Sequence, residues 1–189
     1  MKTAELNKLI SEYSDCGMQR ELEGTTSFEM AVKCQYEDNG TTRRCRHQWR
    51  VRKDALDRMF NNLKRKKDRL FAASNFEDLL EIVAEENVDY IGDLTKYDIA
   101  MRIGYTLSPK VLPQEFVYIH RGTEKGAKAL YKLGFLSKKP SSKMEIRDFV
   151  ALEALKKQNK FKDATFAMLV EDFLCVKHEE LEKLAEKSY

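Results

Sequence analysis

Three helix-start signatures, each set ahead of an apolar stripe, constrain this chain more than any other feature. Ser74-x-x-Glu77, Thr95-x-x-Asp98 and Ser142-x-x-Glu145 place a hydroxyl and a carboxylate three residues apart, the reciprocal cap of a helix start. The stripes that follow recur at helical spacing: Phe76, Leu79, Leu80, Ile82 and Val83; Ile99, Ala100, Ile103 and Leu107; Ile146, Phe149, Val150, Leu152 and Leu155. With 3 prolines and 8 glycines in 189 residues, little interrupts such helices. The expectation is an all-α, multi-helix globular domain over residues 1–189, with a possible N-terminal subdomain at 1–72 and one short extended segment at Val117-Tyr118-Ile119.

The remaining pattern is read in chain order. Leu6, Leu9, Ile10 and Tyr13 form a first stripe, and a break follows at Cys16-Gly17. Thr26 or Ser27 caps a helix through Phe28, Ala31, Val32 and Tyr36, ending near Asn39-Gly40; a hairpin through Asp38-Asn39-Gly40 is the competing reading, because Asn-Gly also favours tight turns. The helix is preferred. Asp54 to Leu70 reads as one helix, Thr123 to Gly134 as another, and Phe166 to Leu184 as one long or two broken helices.

No apolar run is long enough to cross a bilayer, and the start Met1-Lys2-Thr3-Ala4-Glu5-Leu6 lacks the apolar core of a signal peptide, so a cytoplasmic protein with no membrane partner is expected. Cys16, Cys34, Cys45 and Cys175 show no Cys-x-x-Cys pair and are expected as reduced thiols. Cys45-x-His47 and Cys175-x-x-His178 lack the paired spacing of a structural zinc site, so neither a metal nor a cofactor is expected.

The net charge of +3 is small, but its distribution is uneven. Arg43, Arg44, Arg46, Arg50, Arg52 and Lys53 form one basic run and Lys64, Arg65, Lys66, Lys67 and Arg69 a second, while the sign reverses from Glu77 to Asp93. A basic face opposite an acidic one would suit DNA or RNA; solvated helix faces are the plainer explanation. The polar loop Thr41 to Arg52, with His47, Gln48 and the single tryptophan Trp49, has the composition of a binding element.

Around Gly92, two helices joined by a tight turn would point free amides and a helix N-terminus outward, a seat for phosphate. The turn Tyr90-Ile91-Gly92-Asp93-Leu94 with Lys96, together with Val117-Tyr118-Ile119-His120, resembles the helix-hairpin-helix of DNA glycosylases of the endonuclease III type. The resemblance implies a phosphate-binding hairpin and lays the family's catalytic lysine on Lys96. Leu94 stands where that family has its second glycine, and Tyr118 where it has an aspartate. A second resemblance spans most of the chain. His47-Gln48-x-Arg50, Tyr97-Asp98-x-Ala100-x-Arg102-Ile103-Gly104, Val117-Tyr118-Ile119-His120-x-Gly122-Thr123-x-x-Gly126-Ala127 and Glu171-Asp172-Phe173-Leu174-Cys175 are similar to a family of bacterial proteins of unassigned function.

These segments supply the candidate site. His47, Asp98 and His120 are the expected acid/base residues, and Gly92, Lys96, Arg102, Arg121 and Arg50 the expected groups for phosphate or substrate. Asp98 and Arg102 lie four apart on one helical face, so they can pair; the plainer reading is an ordinary ion pair contributing a few tenths of a kcal/mol. Glu171 or Asp172 could join His120. The leading expectation is a nucleic-acid-binding helical module; the alternatives are a hydrolase or lyase acting on a nucleic acid or a phosphate-containing small molecule, and a protein-interaction adaptor.

Overall fold

A computed structural model describes residues 2–14 and 17–187; the break expected at Cys16 lies outside them. The chain is mostly helical and divides into two compact units, residues 1–16 with 114–189, and residues 17–113. The division falls at these boundaries rather than near residue 72.

Helix α1, Lys2–Ser11, belongs to the first unit and buries Leu6 and Ile10. The unit of 17–113 then runs through α2 (Met18–Glu23), α3 (Phe28–Val32), β1 (Gln35–Asp38), β2 (Thr41–Arg44) and a 3₁₀ turn at Arg46–Gln48. It continues through α4 (Lys53–Lys64), α5 (Lys67–Phe71), α6 (Phe76–Ala84) and α7 (Asp93–Thr106). Helix α7 is its centre. Tyr97, Ile99, Ala100 and Ile103 are buried, and Tyr97 meets Phe76 of α6 edge to face with ring centroids 5.5 Å apart. Each large apolar side chain buried this way stabilises the fold by about 1.5–3 kcal/mol.

The helix expected through Tyr36 is corrected. Ser27 does cap α3, its hydroxyl accepting from the Met30 amide at 3.2 Å, but the helix stops at Val32 and the chain forms the hairpin instead. Asn39 and Gly40 both take positive φ, 50° and 73°, the backbone whose twist matches two antiparallel strands. Gln35 pairs with Arg44 and Asp38 with Thr41. A five-residue helix with few hydrogen bonds yields readily to a turn of this kind.

The caps shift as well. Asn75, not Ser74, caps α6, its side chain accepting from the Asp78 amide at 2.8 Å. Helix α7 begins at Asp93, directly after Gly92, so Thr95 lies inside it with its hydroxyl free for another partner. The helix expected from Asp54 to Leu70 breaks at Arg65 and Lys66 into α4 and α5.

The other unit continues with β3 (Phe116–Tyr118), α8 (Arg121–Leu133), β4 (Lys143–Glu145), a 3₁₀ segment at Ile146–Leu152, α9 (Leu155–Gln158), α10 (Phe166–Val176) and α11 (His178–Glu186). The helix expected at Ser142 is here the strand β4, which satisfies the backbone of β3 through the register Phe116↔Glu145, Val117↔Met144 and Tyr118↔Lys143. Helix α8 starts two residues earlier than expected, and the Thr123 hydroxyl accepts from the His120 amide at 2.7 Å. Its core joins Leu6 and Ile10 of α1 to Leu130 and Leu133 of α8, Phe149, and Val170, Phe173 and Leu174 of α10. Among the described residues, no helix is long and apolar enough to cross a membrane.

Candidate functional site

The interior of the 17–113 unit holds a polar network strung along α7. Asp98 and Arg102, at 5% and 4% exposure, sit between the apolar residues of the helix and therefore need partners from elsewhere. Gln48, fully buried in the 3₁₀ turn, supplies one set. Thr95 donates from its hydroxyl to Gln48 Oε1 at 2.8 Å, and Gln48 Nε2 donates to Asp98 Oδ2.

One helical turn on, Arg102 supplies the other set. It donates to Glu21 Oε2 of α2 at 2.6 Å and to the Thr25 hydroxyl at 3.3 Å. The second Glu21 carboxylate oxygen accepts the Arg46 amide at 3.0 Å. Burial by itself would lower the Arg102 pKa, but the neighbouring groups outweigh it and push the value up; at neutral pH, where Cys34 and Cys45 are protonated, the Asp98 and Glu21 carboxylates are the anions that keep the guanidinium charged. Asp98 and Arg102 thus each take a partner from far along the chain, 50 and 81 residues away in sequence.

This network ties α2, the end of the hairpin and α7 together, and it makes the loop 46–50 a rigid mount. Cys34 and Cys45 are buried beside it; burial pushes the Cys34 thiol up to about 12 and raises Cys45 also, so both are inert thiols at neutral pH. Among the described residues, no group of three His, Cys, Asp or Glu side chains could hold a metal ion.

The outward side of the same loop is different in kind. Gln48 points in, and its neighbours Arg46, His47, Trp49 and Arg50 point out. Trp49 keeps 64% of its surface exposed, with the Arg50 guanidinium 4.8 Å from its ring centroid. Tyr90, in the loop before α7, is 67% exposed and carries the Arg52 guanidinium at the same 4.8 Å. Arg43 pairs with Asp38 at 3.2 Å and Arg52 with Asp54 at 2.9 Å, whereas among the described residues Arg46 and Arg50 form no ion pair.

In the second basic run, Lys66 and Arg69 are paired, whereas Lys64, Arg65 and Lys67 are exposed and form no ion pair among the described residues. Lys66 binds Glu85 at 2.8 Å and Glu86 at 2.5 Å, and Arg69 binds Glu85 at 2.9 Å. The acidic run after α6 therefore neutralises these two cations directly instead of lying opposite them. Gly92 is exposed, with open space where a Cβ would sit, but the neighbouring Asp93 already places an anion in the first turn of α7. Lys96 donates to the Ala84 carbonyl at 3.0 Å, closing the C-terminus of α6.

His120 and Arg121 belong to the unit of 1–16 and 114–189. His120 precedes α8, with Nε2 4.0 Å from Glu171 Oε1, and Arg121 is exposed at the first position of the helix. Nearby in sequence on α10, Asp172 accepts the Tyr13 hydroxyl at 2.6 Å. Sequence reasoning missed Glu21, and it named Gln48 and Tyr90 only as members of the polar loop and of the Gly92 turn, without a role of their own. Gln48 carried a signal in its place beside His47 in a loop without a period, and Tyr90 in its place at the turn before Gly92.

Comparison of the chain with protein-family models, with curated proteins and with solved structures finds no match in any of the three.

Proposed function

We propose that this chain is a nucleic-acid-binding module whose contact surface is the exposed loop face of Arg46, His47, Trp49 and Arg50, with Arg52 and Tyr90 beside it. One observation carries the reading: two exposed aromatic rings each hold a guanidinium 4.8 Å from the ring centroid, Arg50 on Trp49 and Arg52 on Tyr90, and Arg46 and Arg50 form no ion pair among the described residues. Free guanidinium groups suit phosphate oxygens, and rings suit bases. A solvated face would explain the charges, but not two large rings kept in water beside guanidinium groups.

In this reading α6 and α7 act like a helix-hairpin-helix. Its turn carries Tyr90 to the face, and the Gly92 backbone lies open to a phosphate. Asp93 weakens that seat, so most of the affinity comes from the loop. Lys96 serves as a helix clasp, which argues against a glycosylase-like nucleophile.

The test is anisotropy of labelled DNA and RNA across a salt series. Binding should weaken with salt, log K falling by about 0.7–0.9 per phosphate contact per decade, and Arg46→Gln/Arg50→Gln should lower both affinity and slope. Failure to bind any DNA or RNA at low salt would remove the reading.

A further inference from the structure

We infer that the nucleic acid taken by this face is single-stranded, with bases stacked on Trp49 and Tyr90; the inference rests on the nucleic-acid reading above. A duplex keeps its base faces stacked inside and offers phosphates along its outside, which cations alone can meet. A single strand offers free base faces, and these need exposed rings. The face provides both kinds of group: the Trp49 and Tyr90 rings at 64% and 67% exposure, and the Arg46 and Arg50 guanidiniums without ion pairs among the described residues.

The rings are also held in place. Trp49 follows Gln48, whose side chain is locked by Thr95 and Asp98. Tyr90 lies between Val88 and Ile91, buried at 9% and 7%, and takes a φ of 71°, which turns its side chain out while its neighbours turn in. Arg52 links the two platforms. Its guanidinium lies on Tyr90, and only Arg50 and Val51 separate it from Trp49 along the chain, so the two backbones are at most about 10 Å apart. A guanidinium stacked on the ring leaves the opposite ring face for a base, and because Arg52 is itself held by Asp54 at 2.9 Å, the strand's phosphates would fall to Arg46 and Arg50.

Trp49 is the chain's single tryptophan, so emission excited selectively from tryptophan, beyond the absorption of the tyrosines, reports this platform alone. The full chain is titrated with a short oligothymidylate, the matching oligouridylate and a duplex of equal length, following Trp49 emission and, separately, anisotropy of a labelled strand. The expected result is tighter binding to one or both single strands than to the duplex, with Trp49 quenched. Trp49→Ala and Tyr90→Ala should each weaken single-strand binding on the order of fivefold to a hundredfold, and Tyr90→Phe should bind like the parent. Both side chains are exposed, and far-UV circular dichroism checks that each variant is folded. Duplex binding equal to single-strand binding, unquenched Trp49, or alanine variants that bind normally would overturn this inference and leave nucleic-acid binding standing. Absence of binding to all three probes would overturn both.

Discussion

Arg102 donates to Glu21 Oε2 at 2.6 Å, and the two side chains keep only 5% and 12% of their surface in water. Two charges taken out of water are costly, and the pair is maintained because each meets the other and further groups, Thr25 for the arginine and the Arg46 amide for the carboxylate. Removing one partner strands the other. Arg102→Met is expected to lose about 3–5 kcal/mol in urea denaturation, and Arg102→Met/Glu21→Leu to lose less than the single variant, with the Arg46 amide still unsatisfied. A single variant within 1 kcal/mol of the parent, on the order of an exposed pair, would show that the bridge does not hold the interior together.

That bridge marks where the sequence stops being informative. The stripes of α1, α6, α8 and α10 could be read because a helix writes its buried face at a fixed period, as Leu130 and Leu133 or Phe173 and Leu174 show. Asp98 and Arg102 stood out as ionisable residues in an apolar stripe, but their partners Gln48 and Glu21 lie 50 and 81 positions away, and no local spacing encodes such a meeting. Asn39-Gly40 was ambiguous for a different reason, since the same dipeptide can end a helix or turn a hairpin. Ser142 carried a helix signal that lost to the need of β3 for a backbone partner. Tyr90 could be placed in the Gly92 turn, but not the exposure of its ring, because that is decided by what its neighbours bury.

Two glycines separate a packing requirement from a loop. A Cβ on Gly126 of α8 would lie 2.5 Å from the Leu174 carbonyl oxygen of α10, and backbone there has no flexible end to give way. Gly126→Ala should therefore push the helices apart and cost about 1–3 kcal/mol in thermal or urea denaturation. Gly92 has nothing within 4 Å of that position, so Gly92→Ala is expected within about 0.5 kcal/mol of the parent. Equal losses for the two variants would mean that the α8–α10 contact is not set by the glycine.

The Glu85 cluster gives a pH dependence that also bears on binding. Side-chain hydrogen bonds from Arg69 and Lys66 hold the Glu85 pKa down at about 2, against an ordinary 4.5. A carboxylate whose folded pKa is depressed contributes stability that is fully present above its unfolded value; here that contribution is lost as pH falls from about 4.5 toward about 2. Carboxyl NMR should find Glu85 titrating near the lower value, and Arg69→Gln should bring it back up; a midpoint near 4.5 in the parent would contradict the pairing. The same pairing removes Lys66 and Arg69 from the positive surface, since their charge is met at 2.8 and 2.9 Å. Glu85→Gln deletes one anion and releases Arg69 from its carboxylate, while Lys66 retains Glu86 at 2.5 Å. If nucleic acid touches only the Trp49 face, this variant should bind it with a modest gain that disappears at high salt, where the Debye length falls to about 3 Å at 1 M. A steeper salt slope than the parent's would instead place Arg69 in contact with phosphate and extend the interface to α5.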